Sequence, residues 1–319
     1  MKYPKVSIII PFKSFNQKLE ECIKYCNELD YPNYEIILLP DNKCDISYKN
    51  VKVIPTGQIG PSEKRDIGMK NSSGEIFAFL DDDAFPIKDW LKNAIRHFED
   101  KEIGAVVGPA VTPDNDDIWQ KGSGLVFSSY LASGKYVYRY LPKSIRYEDD
   151  YPTVNFIVPK DVIDKIGGFD NTYWPGEDTI LCLKITRDLK KKIIYDPKVL
   201  VYHHRRRLFK EHLKQVSNYA THRGFFVKKF PETSFRFGYF VPSLFVLGII
   251  LGFVLSMFFP LIKIVYISVL LLYLLLLIIE GIRVKNLKLG ILVFLGILST
   301  HIVYGIWFIK GLLSRELVR

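Results

Sequence analysis

Ile76-Phe77-Ala78-Phe79-Leu80-Asp81-Asp82-Asp83 is the stretch on which the reading of this 319-residue chain turns. Five apolar residues in a row, without alternation, predict a strand buried on both faces. It ends abruptly in three carboxylates. Extended geometry sends Asp81 and Asp83 to one side and Asp82 to the other. Adjacent carboxylates repel and raise one another's pKa unless a cation or hydrogen bonds compensate. Mg²⁺ or Mn²⁺ beside phosphate oxygens is the usual compensation, because such an ion takes one or two carboxylates and fills its other positions from substrate and water. An isolated Asp-x-Asp is more often a solvated turn. The buried strand before it, and Pro86-Ile87-Lys88-Asp89-Trp90 after it, favour the functional reading here.

Working outward, strand-like runs alternate with helical ones, the pattern of an α/β domain with a mostly parallel sheet. Strands are expected over residues 6–10, 35–39, 51–54, 76–80 and 105–107, and amphipathic helices around 17–29, 62–71 and 89–98. Ligands of open α/β sheets bind beyond the carboxyl ends of strands. Polar residues gather at those ends: Lys13 and Ser14, then Asp41 and Asp45, then Asp81 to Asp83.

Five pieces in order carry a resemblance. They are Val6-Ser7-Ile8-Ile9-Ile10-Pro11, Gly60-Pro61-Ser62-Glu63-Lys64-Arg65-Asp66-Ile67-Gly68, Ser73-Gly74-Glu75-Ile76, Leu80-Asp81-Asp82-Asp83-Ala84 and Gly167-Gly168-Phe169-Asp170 with Gly176-Glu177-Asp178. Over roughly residues 4–205 the chain resembles family 2 glycosyltransferases of the GT-A fold. The resemblance implies inverting sugar transfer from a nucleotide-diphosphate sugar with a divalent cation. It assigns Pro11, Asp41, Lys64, Arg65, Asp81 and Asp82 to the nucleotide-sugar side, with Asp81 on the ribose, Asp41 on the base and Lys64-Arg65 as the basic pair facing the nucleotide. Asp83 matches the metal-binding aspartate. Two departures stand out: Pro40 replaces the first of a paired acid before Asp41, and Asp66 stands where Asn is commoner.

Glu177-Asp178 resembles the family's acidic pair that supplies the general base. The chemistry asks for such a group, since the acceptor hydroxyl must lose a proton as it attacks the anomeric carbon. Nearby negative charge also stabilises an oxocarbenium-like transition state. Asp178 is the first candidate and Glu177 the second. Gly-Glu-Asp-Thr also suits a helix start, where acids meet the positive end of the dipole. In the family a histidine after a late strand completes the metal site. Here a strand is expected over 196–202, and His203 matches best, with a one-residue slip to His204 left open. An imidazole ligand favours Mn²⁺ over Mg²⁺. Trp174 and Asn155 are weaker candidates for the acceptor side, and residues 112–117 read as a surface loop.

Beyond residue 236 the composition changes. A helix needs about 20 apolar residues to cross a hydrocarbon core of about 30 Å. Residues 237–259, 261–279 and 289–309 qualify, and their only interruptions are Lys263 and His301. The His301 imidazole is expected to make a helix–helix hydrogen bond near Thr300. The chain carries a formal net charge of +10. From 203 to 236 there are nine Lys/Arg against two acids. A basic run beside a span marks anionic headgroups and the cytoplasmic side. No helix-turn-helix, zinc-finger or stacking signature accompanies it, so nucleic-acid binding ranks well below. Four scattered cysteines exclude a disulfide scaffold. The first apolar run is too short for a signal-peptide core.

The expectation is therefore an α/β GT-A domain over 1–204, a basic interfacial segment over 205–236, and an α-helical transmembrane region over 237–319 with about three spans. The catalytic domain is expected in the cytoplasm, on a multi-pass cell-membrane protein. Three spans put the loop 280–288 inside and the tail with Lys310, Arg315 and Arg319 outside, against the positive-inside preference. The expected partners are a nucleotide-diphosphate sugar, membrane lipids and a lipid-linked glycan acceptor. A polyprenyl-phosphate acceptor and a binding protein without catalysis are the alternatives.

Overall fold

The computed structural model describes residues 3–44, 48–169, 173 and 175–317. In chain order the strands are β1 (Val6–Pro11), β2 (Tyr34–Leu39), β3 (Val51–Val53), β4 (Ile76–Leu80), β5 (Ala84–Pro86), β6 (Ile103–Val107), β7 (Ala110–Val111), β8 (Arg146–Glu148), β9 (Asn155–Pro159), β10 (Lys192–Tyr195) and β11 (Val201–His203). The first helices are α1 (Gln17–Asn27), α2 (Pro61–Lys70), α3 (Trp90–Ile95), α4 (Ile118–Ser128), α5 (Tyr130–Ser133), α6 (Lys160–Ile166) and α7 (Glu177–Leu183). They are followed by α8 (Lys210–Lys229), α9 (Pro231–Ser234), α10 (Phe237–Ser256), α11 (Pro260–Arg283) and α12 (Leu287–Leu313). The chain forms two compact units. One is Met1–Pro113 with Tyr138–His204, and the other is Asp114–Val137 with Arg205–Arg319.

In the first unit eight strands form a sheet in the order β3-β2-β1-β4-β9-β6-β10-β8, and three form a small sheet, β5-β11-β7. Strands β1 and β4 are buried along their whole length, as their largely apolar sequences predict, and pair in parallel. Six of the eight strands of the large sheet run in one direction, the mostly parallel arrangement expected, and two run against it. Strand β9 runs antiparallel between β4 and β6, and β8 antiparallel on β10. The connection from β7 to β9 leaves and re-enters at one end of the sheet, with Asn155 opposite Leu80 at the end of β4. A parallel neighbour needs a crossover that returns the chain to the opposite end.

Helix α1 shows how local sequence builds this unit. Asn16 caps it, accepting from the backbone of Lys18 and Leu19 at 2.9 and 3.1 Å, which satisfies two orphan donors of the first turn. Leu19, Cys22, Ile23 and Cys26 form its buried stripe at helical spacing. Cys22, Cys26 and Cys182 are buried thiols. Helix α2 starts with Pro61 at its first turn and packs on the sheet at Gly68, where a Cβ would lie 2.8 Å from Ile9 and 2.9 Å from Leu39.

Most of the strand expected over 196–202 is a turn between two short strands, β10 ending at Tyr195 and β11 starting at Val201. Asp196, fully buried, turns the chain between them, held by Arg96 at 2.7 Å and His97 at 2.8 Å. Its hydrogen bonds outweigh burial and hold its carboxyl down at about 2.

The second unit holds three helices long and apolar enough to cross a membrane, with mean hydropathies of 2.2, 2.8 and 2.1. Helix α11 runs to Arg283, past the expected end at 279, and α12 already begins at Leu287, so the loop between them is shorter than anticipated. Glu280 and Arg283 pair at 2.6 Å and lie within the helix. The presumed surface loop 112–117 is partly interior: Asp116 is buried and accepts from the Arg205 backbone at 3.1 Å, and Asp117 caps α4. Val126 of α4 joins a cluster with Leu208, Leu277, Val293 and Ile297. His301 makes interelement bonds, to Tyr273 Oη at 2.8 Å and to the Leu131 carbonyl at 3.0 Å. Its neighbour Thr300 bonds His212 at 2.9 Å.

Candidate active site

Three elements deliver polar groups to the end of β4. Strand β5 folds back directly after Asp83 and pairs antiparallel with β11, which sets His203 opposite Ala84. His203 Nε2 therefore lies 3.0 Å from Asp83 Oδ1. Asp81, Asp83 and His203 present donor atoms within 4.8 Å of one another, close enough for one cation to touch all three. His204 turns the other way. Its backbone donates to the Asp83 carbonyl at 2.9 Å, and its ring meets Glu21 of α1 at 2.7 Å. The side chain grouped with the carboxylates is His203.

Asp82 lies in a hollow of about 670 Å³ lined by Asn16, Gln17, Lys18, Asp82 and Asp83; the chain turns directly after β4, so the alternation expected of extended geometry does not hold here. Burial, then the charges of Asp83 and Asp81, pushes its carboxyl up to about 7, against a hydrogen bond from Asn16 that pulls it down. A donor set of two carboxylates and an imidazole fits Mn²⁺ or Mg²⁺.

Three consecutive residues of α2 organise the surroundings. Lys64, 3% exposed, donates to the carbonyls of Phe12 and Leu39 at 2.6 and 3.2 Å and pairs with Asp41. It thereby ties the ends of β1 and β2 together beside Pro11, which is itself buried. Arg65, also 3% exposed, donates from Nη2 to Asp81 Oδ1 at 2.8 Å, while Nη1 lies 3.6 Å from Glu177 Oε1. Its Nε is buried and donates to none of the described residues, and its guanidinium lies 5.8 Å from the Phe169 ring centre. Asp66 Oδ1 accepts from the Phe169 backbone at 3.1 Å and closes the turn at Gly167 and Gly168, both at positive φ. A Cβ on Gly168 would sit 2.7 Å from that oxygen, so the departure to Asp66 and the glycine pair form one feature.

Glu177 and Asp178 occupy the first turn of α7. Glu177 is buried, and burial followed by the charge of Asp178 raises its carboxyl to about 7, against the pull of Arg65. Asp178 is half-buried and accepts from the Thr179 backbone at 2.8 Å. The turn is anchored from below: Thr179 Oγ1 donates to Asp150 Oδ1 at 2.8 Å, and Arg139 Nη2 donates to the Asp150 carbonyl at 2.6 Å.

Thus Arg65 links the expected nucleotide side and the expected base side, while Lys64 and Asp41 lie next to them on the sheet ends. Asn155 requires a correction. It is fully buried; its amide donates to the carbonyls of Gly108 and Val199 at 2.8 and 2.7 Å and accepts from Trp90 at 2.9 Å. A polar group so saturated packs the core and has nothing left for an acceptor. Trp174 and Asp45 lie outside the described residues. Sequence reading missed Asn16, Glu21, Asp150 and Thr179. Of these only Asn16 carried a local signal, a cap residue just before a helical stripe.

A mixed α/β sheet with these groups at the ends of its strands defines a GT-A glycosyltransferase architecture. A mannosyltransferase from Pyrobaculum calidifontis, solved in complex with GDP-Man and Mn²⁺, shares that fold with a TM-score of 0.51 at 18% identity, over 70% of this chain and 63% of that one. Residues 7–167 match the model of glycosyl transferase family 2, and the chain belongs to that family. Glycosyltransferase AglE of Haloferax volcanii is 26% identical over 188 residues, 55% of this chain and 59% of AglE. The chain thus covers less than two thirds of either AglE or the solved mannosyltransferase. A further relative, from Methanococcus voltae, is 23% identical over 247 residues, 70% of this chain and 74% of its own length. It is a dolichyl N-acetyl-alpha-D-glucosaminyl phosphate 3-beta-D-2,3-diacetamido-2,3-dideoxy-beta-D-glucuronosyltransferase.

Proposed function

We propose that this protein transfers a sugar, with inversion, from a nucleotide-diphosphate sugar to a lipid-linked glycan at the membrane surface. The observation that carries the reading is the single guanidinium of Arg65, which pairs with Asp81 of the metal-type cluster and approaches Glu177 of the acidic pair. Donor and acceptor chemistry then share one neighbourhood. Asp81, Asp83 and His203 would hold the cation, and Asp41, Lys64, Arg65 and Asp82 lie on the nucleotide side. When bound, the cation neutralises charge on the diphosphate as it departs.

The residues of the chain supply the rest. Asp178 takes the proton of the acceptor hydroxyl onto its carboxylate as that oxygen attacks the anomeric carbon from the face opposite the diphosphate. Its half-exposed position suits contact with an incoming acceptor, whereas Glu177 is buried against Arg65. Glu177 adds negative charge near the reacting carbon and fixes Arg65.

Residues 1–204 carry the chemistry in this reading, 205–236 meet anionic headgroups, and 237–319 hold the protein in the cell membrane, with the catalytic domain on the cytoplasmic face. The dolichyl-linked acceptor in the name of the Methanococcus voltae relative supports a lipid-linked substrate. The Mn²⁺ and GDP-Man of the Pyrobaculum calidifontis structure support the cation and the donor class. Confinement to a surface raises the effective concentration of such an acceptor.

The test is transfer of label from a panel of radiolabelled nucleotide sugars, with Mn²⁺ and extracted membrane lipids, into the organic-soluble fraction. The proposal expects a labelled lipid with one donor of the panel. Binding of nucleotide diphosphates without transfer from any donor would instead mark a binding protein.

A further inference from the structure

Hydropathy alone treats α10, α11 and α12 as equals, but their packing does not. Helix α11 buries one residue, Leu277, whereas α12 buries eight, from Gly290 to Gly311. The pairing of residues between helices is more telling. Helices α10 and α11 form an antiparallel hairpin around a turn at 257–259: Gly252 and Ile249 meet Tyr266, and Phe245 meets Tyr273 with ring centres 4.5 Å apart. Its open end is the first turn of α10 together with the last turn of α11.

Helix α12 starts at one side of that open end and finishes at the other. Near its start, Gly290 abuts Gly281 in the last turns of α11, and a Cβ on Gly281 would lie 3.0 Å from the Gly290 carbonyl. Further along, His301 reaches Tyr273 at 2.8 Å. Then the order turns back towards the start of α10. His301 lies edge-on to Phe245 with ring centres 6.1 Å apart, Gly305 accepts from Ser243 at 3.0 Å, and Phe308 packs on Phe240 with ring centres 5.0 Å apart. A third span of an up-down-up bundle runs parallel to the first, so its partners on α10 climb as it climbs. Here they descend. A straight helix cannot run antiparallel to both members of an antiparallel pair unless it crosses them.

A second observation agrees. Helix α8 lies along the second half of α12: His212 bonds Thr300 at 2.9 Å, a Cβ on Gly311 would strike the Thr221 carbonyl, and Lys228 Nζ donates to the Ser314 carbonyl at 2.6 Å. Lys210, Lys214, Lys228 and Lys229 of α8 are exposed. A lysine ammonium at the centre of a bilayer is costly to bury, so α8 belongs at headgroup depth, and it carries that half of α12 with it.

We infer that α12 is an in-plane interfacial helix laid across the open end of an α10–α11 hairpin, that the chain crosses the membrane twice, and that its partner along α8 and α12 is the anionic headgroup layer. Residues Ile291, Leu295, Ile306 and Leu313 form the exposed apolar side of α12, suited to the upper acyl region. Lys285, Lys288, Lys310 and Arg315 then lie on the side where α10 begins. The charge conflict of a three-span arrangement disappears.

Three single-cysteine probes at exposed positions test this in the full chain: Lys229→Cys before α10, Met257→Cys at the hairpin turn, and Arg315→Cys after α12. Sealed vesicles are treated with a membrane-impermeant maleimide from outside, then after permeabilisation, and the modified peptides are mapped by mass. The inference expects the thiols at 229 and 315 to react from one side, with 257 lost from that set and reacting only from the other. Reaction of 315 together with 257 overturns it in favour of three crossings. Reaction of 257 together with 229 overturns it by removing the hairpin from the membrane. Leu313→Cys repeats the reading at a second exposed position near the end of α12.

Discussion

Asp81, at the end of β4, and Glu177, at the start of α7, are held by one guanidinium: Arg65 donates to the first at 2.8 Å and lies 3.6 Å from the second. All three side chains are distant in sequence, and Arg65 and Glu177 are buried. Removing the guanidinium would take the charge partner from the buried Glu177, and breaking a buried pair in this way costs about 3–5 kcal/mol. Arg65→Met is therefore expected to lower stability by that order, measured by thermal denaturation. Arg65→Lys keeps the charge but loses the planar fork. It should fold, at a cost of about 1–3 kcal/mol, and lose most of its turnover, because Asp81 and Glu177 are no longer fixed against each other.

The acidic pair makes stability depend on pH. Glu177 titrates near 7 in the folded protein, above its ordinary value of 4.5. A carboxyl with a raised folded pKa stabilises the fold fully below its unfolded pKa, and that contribution is lost as pH rises through the folded value. Glu177→Gln stays neutral throughout. It should match the wild type at pH 4 and exceed it by about 1–3 kcal/mol at pH 8, seen as a flatter dependence of Tm on pH. Parallel curves for the two proteins would show that folding does not shift the Glu177 carboxyl.

Thr179 and Asp150 should matter through position. The Thr179 hydroxyl reaches Asp150 at 2.8 Å beneath the turn that carries Glu177 and Asp178. Thr179→Val keeps the shape and removes the bond, at a cost of about 1–2 kcal/mol. The expected kinetic result is a lower kcat with little change in KM for the nucleotide sugar, since the donor side is untouched. A change confined to KM would contradict this placement.

Much of this was legible locally. The buried run at 76–80 ending in three acids needs only neighbours in sequence to be recognised, and so does the capped stripe of α1. The antiparallel β9 was not legible, because its direction is decided by where a long excursion re-enters the sheet. Asn155 misled for a physical reason. A lone polar residue among apolar ones looks functional until its partners, Trp90, Gly108, Pro109 and Val199, are seen. The choice between His203 and His204 also needed tertiary structure, since strand pairing decides which ring faces Asp83. Hydropathy found α12, though over 289–309 where the helix runs Leu287–Leu313, and carried no information about its direction.

That choice has a direct consequence for the metal requirement. Chelation with EDTA should abolish transfer, and Mn²⁺ should restore it. His203→Ala should raise the Mn²⁺ concentration for half-activity by more than the roughly 10–100-fold that loss of an outer hydrogen-bond partner costs. His204→Ala, which breaks the contact with Glu21, should lower Tm and leave that concentration within about tenfold of wild type. The reverse pattern would exchange the two roles.

The central claim is that Asp83 serves the donor and Asp178 the proton transfer within one site. Calorimetric binding of a nucleotide diphosphate with Mn²⁺, paired with single-turnover transfer by the same preparations, separates them. Asp83→Asn should lose nucleotide binding and transfer together. Asp178→Asn should bind as the wild type does while its transfer rate falls by about 10²–10⁴-fold. Wild-type transfer by Asp178→Asn, or unchanged Mn²⁺-dependent binding by Asp83→Asn, would contradict the account.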